Sequence, residues 1–317
     1  MYSKTWSRYA ILILGFVLVM SLCIGLPGAI AEEEDDLCEE KGPGCIFGCS
    51  DDSLFTMDFR IEDCKFRTIG INPFFILQPG YQVVLVTPDD AVDDEGMPVD
   101  REKSVETVLY DTQKITLDDG RRIKTRVVEE RAFEWDDEEM EWVTIEISLN
   151  YFAVCKKTNA VYYFGELSRD CPAGFDEDDV CTGDPDDPDE GESTEGSWEA
   201  GIDGAMPGLM MAGTPLLGSK YFQEIAEEQE AVDRGEIVAL GLDVEVPAGE
   251  WSGCIEIYDT NPMEAEDGGC DGENDPKLYC PEVGLVKDQF LELVSFDYVG
   301  RDDDDDDDKR WERRHHR

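Results

Sequence analysis

Between Trp142 and Tyr151 apolar and polar residues alternate almost without fault. Val143, Ile145, Ile147, Leu149 and Tyr151 fall on one face of an extended chain, and Thr144, Glu146, Ser148 and Asn150 on the other. A period of two marks a half-buried β-strand, because a helix would scatter such a pattern around its circumference. The simplest reading sets the apolar face on a core and the polar face in water. Similar runs recur. Residues 74–77 are followed by a Pro79-Gly80 turn and a β-branched run over 81–87 that stops at Pro88. Asp118-Asp119-Gly120 separates the runs 105–116 and 121–133 as a hairpin turn would. A short aromatic strand is expected over 160–166, and further strands at 237–240, 244–246, 254–258 and 290–298. Residues 220–236, rich in Glu, Gln and Ala, read as a short helix or turn. About ten short strands with at most one or two short helices predict a mainly β fold, built as a curved antiparallel sheet, a half-barrel or a sandwich.

The ends divide the chain further. Lys4 and Arg8 precede an apolar run over 10–26, and Ala29-Ile30-Ala31 supplies the small-x-small pattern of a signal peptidase site, so residues 1–31 read as a signal peptide cleaved before Glu32. An uncleaved anchor is the alternative, since the run approaches the roughly 20 residues that span a bilayer. Residues 32–71 form a cysteine-rich N-terminal arm, 72–299 the β domain with an acidic Pro- and Gly-rich insertion at 170–196, and 300–317 an acidic then basic tail whose low complexity predicts disorder. Ten cysteines follow the signal: Cys38, Cys45, Cys49, Cys64, Cys155, Cys171, Cys181, Cys254, Cys270 and Cys280. An even number in an exported chain reads as a disulfide framework, and places the protein outside the cell, in a periplasm or on a cell surface. Pairing Cys171 with Cys181 and Cys270 with Cys280 would each close a short acidic loop; the spacing does not fix the connectivity.

The formal charge is −49, and becomes −51 once the two cations of residues 1–31 are removed. That excludes ordinary nucleic-acid binding and disfavours an anionic membrane surface. It predicts a soluble monomer that attracts cations, and adaptation to a salty exterior would leave the same composition. Zinc is disfavoured, because no histidine precedes His315 and no CxxC pair occurs. Calcium is the better metal hypothesis: Asp271, Glu273 and Asp275, with Glu282 at the twelfth position, come nearest to a calcium loop, although Pro276 stands where the turn needs glycine. The same acids read equally as a solvated loop.

Over 197–287 the chain carries Ser197-Trp198-Glu199-Ala200-Gly201, Pro207-Gly208, the run from Gly218 through Tyr221, Phe222, Gln223 and Glu224, Asp233-Arg234-Gly235-Glu236, Val246-Pro247-Ala248-Gly249 and Val283-Gly284-Leu285-Val286-Lys287. This pattern resembles a family of exported bacterial proteins of unknown function, similar in architecture to the half-barrels of periplasmic lipoprotein carriers. The chain departs from it at Cys280-Pro281-Glu282, where the family has Ala-Pro-Gly, and at Glu227-Glu228, where it has Pro-Gly. The resemblance implies a curved sheet and brings no catalytic residues. A histidine-based triad is excluded by composition, and no two carboxylates stand out as a hydrolase pair. The expectation is a non-enzymatic protein with a binding or surface role, with no cofactor beyond a possible calcium ion. An apolar ligand would lie on Trp142, Phe152, Tyr162, Phe164 and Tyr221, or a protein partner on the surface, unless those aromatics are plain core.

Overall fold

The computed structural model describes residues 54–93, 96–185, 187, 190–262 and 275–300. The expected signal peptide, Cys38, Cys45, Cys49, Cys270, Asp271, Glu273 and the acidic tail lie outside the described residues. The protein is mainly β. In chain order the strands are β1 (Phe66–Arg67), β2 (Tyr81–Val86), β3 (Glu102–Val108), β4 (Lys114–Thr116), β5 (Arg122–Lys124), β6 (Arg126–Asp136), β7 (Glu141–Cys155), β8 (Val161–Asp170) and β9 (Trp198–Glu199). They continue with β10 (Met206–Met211), β11 (Lys220–Phe222), β12 (Glu224–Ile225), β13 (Arg234–Val246), β14 (Gly249–Thr260), β15 (Asp275–Cys280), β16 (Gly284–Asp288) and β17 (Leu291–Tyr298). Where a short helix or turn was expected, β11 and β12 run almost end to end, followed by one 3-10 turn at Glu227–Gln229.

Fifteen strands join one antiparallel sheet that begins at β11 and β13, runs through β14 to β17, β2, β3, β6, β7 and β8, and ends at β10 and β12. Because β11 and β12 are separated only by Gln223, the chain bridges the two ends of its own sheet and makes a nearly closed barrel. The seam depends on Gly208. It sits where Pro207 pairs with Glu224, and a Cβ there would lie 2.0 Å from the carbonyl oxygen of Gln223. Closure removes the unpaired edges that would otherwise invite aggregation.

The barrel wall inverts the sequence reading of β7. Its polar face, with Ser148 at 1 % and Asn150 at 7 % exposure, points into the barrel, while its apolar face looks outward and is covered by loops. Ile147 packs on Cys171 and Phe175 of the acidic insertion, whose described residues are tied down by the Cys171–Cys181 disulfide and the Asp170–Ser193 bridge. A period of two separates two faces but says nothing about which one a closing sheet encloses.

The last residues of the expected N-terminal arm belong to the barrel. Cys64 is bonded to Cys155, β1 pairs with β7, and Phe66 meets the rings of Tyr162 and Phe164 edge-on at 5.6 and 5.2 Å. Residues 74–76 then cross one end of the barrel as a floor, with Phe75 5.0 Å from Phe152 and the Asn72 side chain donating to the carbonyls of Asn159 and Ala212. Cys280 is bonded to Cys254, not to Cys270, because β14 and β15 are neighbours and bring the two α-carbons to 4.1 Å.

Two outcomes are expected. Peptide mapping without reduction will recover Cys254 linked to Cys280 and Cys64 linked to Cys155. Gly208→Ala, forced against the seam, will lower the melting temperature in circular dichroism by several degrees, the size that a loss of roughly 1–3 kcal/mol gives in a domain of this size.

Candidate functional site

The interior of the barrel contains a cavity of about 210 Å³. Its walls follow from the register. Glu106 on β3 stands directly opposite Glu130 on β6, which stands opposite Ser148 on β7, so one inward layer of the sheet is acidic. Two residues along, Val108 pairs with Val128, and beyond these Phe152 pairs with Tyr163, so the next layers are apolar and aromatic. With about 3.3 Å per residue, the Phe152 layer lies roughly 13 Å from the Glu130–Ser148 layer, and Asn150 and Glu166 stand between them. Phe74, Phe75 and Ile76 complete the apolar end.

Local irregularities aim further carboxyls inward. A register shift between Asn150 and Phe152 coincides with Gly165, whose φ of 148° no other residue adopts comfortably and whose Cβ would meet the carbonyl of Trp198 at 2.6 Å. The shift sets Glu166 beside Asn150 on the cavity wall. Glu224 arrives from the seam strand β12, and Asp233, Asp259 and Asp288 from around β13, β14 and β16. The cavity therefore has seven carboxyls on its wall and one basic residue, Lys277.

Lys277 is already engaged. Its Nζ lies 3.2 Å from Asp259 and 3.4 Å from Asp288, and the Gln223 side chain donates to Asp259 at 3.0 Å. Burial opposes the ammonium charge, but Asp288 and Asp259 outweigh it and hold the lysine pKa well above its ordinary value. Glu106, Glu130, Glu166 and Glu224 have no ion-pair partner among the described residues. Ser104 donates to Glu130 at 3.1 Å, the Tyr163 hydroxyl donates to Asn150 beside Glu166, and the indole N–H of Trp198 faces Glu224 without reaching hydrogen-bond geometry.

Burial raises all four of these acids. Glu106 is pushed up to about 8 by desolvation and then by the neighbouring Glu130, and Glu166 to about 7 for the same two reasons. Glu130 is raised by desolvation, and Glu224, only 7 % exposed, is raised well above the ordinary range by desolvation and by Asp233 and Glu166. Glu146, on the same inward face of β7, is pushed up to about 8 by desolvation, Glu130 and Asp170.

The residues expected from sequence are dispersed. Of the five aromatics, Phe152 lines the cavity. Tyr162 and Phe164 lie under the N-terminal segment, Tyr221 is buried against Gly235 in the wall, and Trp142 stacks edge-on with Trp135 at 5.3 Å beside Lys103 and Arg101. Of the calcium candidates, Asp275 begins β15 and Glu282 follows its far end, so a six-residue strand separates them rather than a loop bringing them together. The inward acids carried a weak signal in sequence: Glu106 stands between Val105 and Thr107 and Glu146 between Ile145 and Ile147, whereas Glu130, between Glu129 and Arg131, carried none.

Comparisons with protein-family profiles, with curated proteins and with solved structures return no match. The likeness to exported half-barrel proteins thus rests on the sequence pattern alone.

The raised acids carry a consequence for stability. Each holds its proton more tightly in the folded chain than in the unfolded one, so the stability it contributes is complete below the ordinary carboxyl range and is lost as pH rises through its folded value. The free energy of unfolding in urea is expected to fall between pH 5 and pH 8.5, with a slope of at most about 1.4 kcal/mol per pH unit for each group. Glu106→Gln will flatten that decline; a profile that is level or rises over this range would contradict the enclosed interior.

Proposed function

We propose that this protein is an extracytoplasmic binding protein whose barrel interior holds a small, positively charged ligand. The observation that carries this reading is the cavity itself, where four carboxyls without an ion pair meet a single lysine that two aspartates already occupy. Burying such groups without a compensating cation is unfavourable, and a bound cation would relieve both the desolvation and the mutual repulsion. The three disulfides among the described residues require an oxidising compartment, which supports export to a periplasm, a cell surface or the medium.

Binding fits the site better than carboxylate catalysis. A glycosidase-type mechanism needs two carboxyls whose environments push their pKa values apart, one protonated and one ionised. Here the unpaired acids share one environment and are raised together. The apolar ligand expected from the aromatics is replaced by an ionic one because only part of the wall is aromatic. At about 210 Å³ the cavity is also smaller than the roughly 300–1,000 Å³ of sites for drug-sized ligands.

Thermal unfolding of the oxidised protein at pH 8 and constant ionic strength, in chlorides of ammonium, guanidinium, methylammonium and calcium, tests the reading. At least one cation is expected to raise the melting temperature saturably. Occupancy at 100 times Kd would contribute about 2.7 kcal/mol, or several degrees. The double variant Glu130→Gln, Glu224→Gln will lose the response. An unresponsive wild type, or an equal response in the variant, would overturn the proposal.

A further inference from the structure

The unpaired carboxyls do not stand alone. Two of the acids reach the aromatic end of the cavity: Glu166 stands opposite Asn150, next to the Phe152–Tyr163 pair, and Glu224 pairs with Pro207, beside the Gly208 that pairs with Tyr163; Phe75 lies 5.0 Å from Phe152, and the Phe152 and Tyr163 rings stack at 4.6 Å. Glu224 is more than nine-tenths buried, faces the cavity and has neither an ion pair nor a hydrogen bond of normal geometry to its carboxyl. A buried carboxyl with neither partner is costly, and a charged donor from outside the chain would offset that cost.

We propose that the ligand is a small organic ammonium ion, its charged nitrogen held by Glu166 and Glu224 and its hydrocarbon part lying against Phe75, Phe152 and Tyr163. This deepens the reading of the cavity as a cation site and rests on it. Three observations favour an ammonium over a metal ion. Among the described residues no three acidic side chains converge closely enough to ligate one metal. The acids instead approach from separate strands, an arrangement suited to the several N–H donors of an ammonium group, each directed at a different oxygen. A metal ion would also leave the aromatic half of the wall unused, whereas alkyl or aryl ammonium ions gain from aromatic faces through cation–π attraction and burial of their carbon atoms. The cavity volume of about 210 Å³ sets the size, a nitrogen followed by a short chain or a single ring.

Binding has a defined proton balance. The cation stabilises the ionised carboxyls, so protons held by the empty site leave as the ammonium enters, and no covalent bond forms or breaks. Acidification should therefore release the ligand.

Isothermal titration calorimetry of the oxidised full chain at pH 7.5, with n-butylammonium and phenethylammonium chloride as probes and 1-pentanol and calcium chloride as comparisons, tests the proposal. Runs in two buffers of different ionisation enthalpy count the protons released. The expected result is saturable binding of at least one amine with proton release, and no saturable binding of the alcohol. Affinity should fall at least about tenfold in Glu224→Gln and also in Phe152→Leu, since a charge-assisted hydrogen bond or a buried ring contact is worth that much. Glu166→Gln supplies a second isosteric variant should Glu224→Gln fail to fold. If calcium or another inorganic cation binds while neither amine does, the ammonium assignment falls and the cation site stands. If no cation binds, both fall. Amine binding unchanged in the folded variants would place it elsewhere and overturn the assignment.

Discussion

The few backbone pairs across the seam between β10 and β12, made possible by the missing Cβ of Gly208, decide what kind of protein this is. Left open, the same sheet would put Glu106, Glu130, Glu146 and Glu166 in water, where they would be ordinary carboxylates. Closed, it removes them from bulk solvent and raises every one of them. The floor formed by residues 74–76 and the Cys64–Cys155 disulfide, which holds the N-terminal segment on the outside of β7 and β8, keep the barrel from reopening at its apolar end.

The charge of the chain thus acts in two ways. Most acids among the described residues are exposed or half-buried, where water screens their repulsion. A small group is enclosed, where desolvation outweighs screening, and there the same residue type becomes a store of protons. Lys277 shows the balance: it stays charged in an enclosed site only because Asp259 and Asp288 flank it, and nothing comparable serves Glu106 or Glu224.

Much of the fold was legible in the sequence. The alternation over Val143 to Tyr151, the β-branched run of β2 and the Asp-Asp-Gly turn before Arg121 all became the expected strands and hairpin, because backbone pleating and turn sterics act over a few residues. The local Cys171–Cys181 bridge was legible for the same reason, whereas Cys254–Cys280 was not, since it follows from which strands become neighbours. The site was nearly invisible. Which face of a strand lies inside a barrel depends on closure, and closure depends on a contact between Gly208 and Gln223 that no local pattern encodes. Tyr162, Tyr163 and Phe164 are consecutive aromatics of the same strand, yet only Tyr163 turns inward.

The claim tested most directly is that these acids are enclosed. Carbon-13 NMR titration of the glutamate side-chain carboxyls in labelled, oxidised protein, assigned with Glu106→Gln and Glu146→Gln, reads their protonation one by one. Enclosure predicts that Glu106 and Glu146 titrate near pH 8 and Glu166 near pH 7, well apart from the solvated majority. If all of them titrate together below about pH 5, the ordinary range for glutamate, the interior is open to bulk water and the account of the cavity fails.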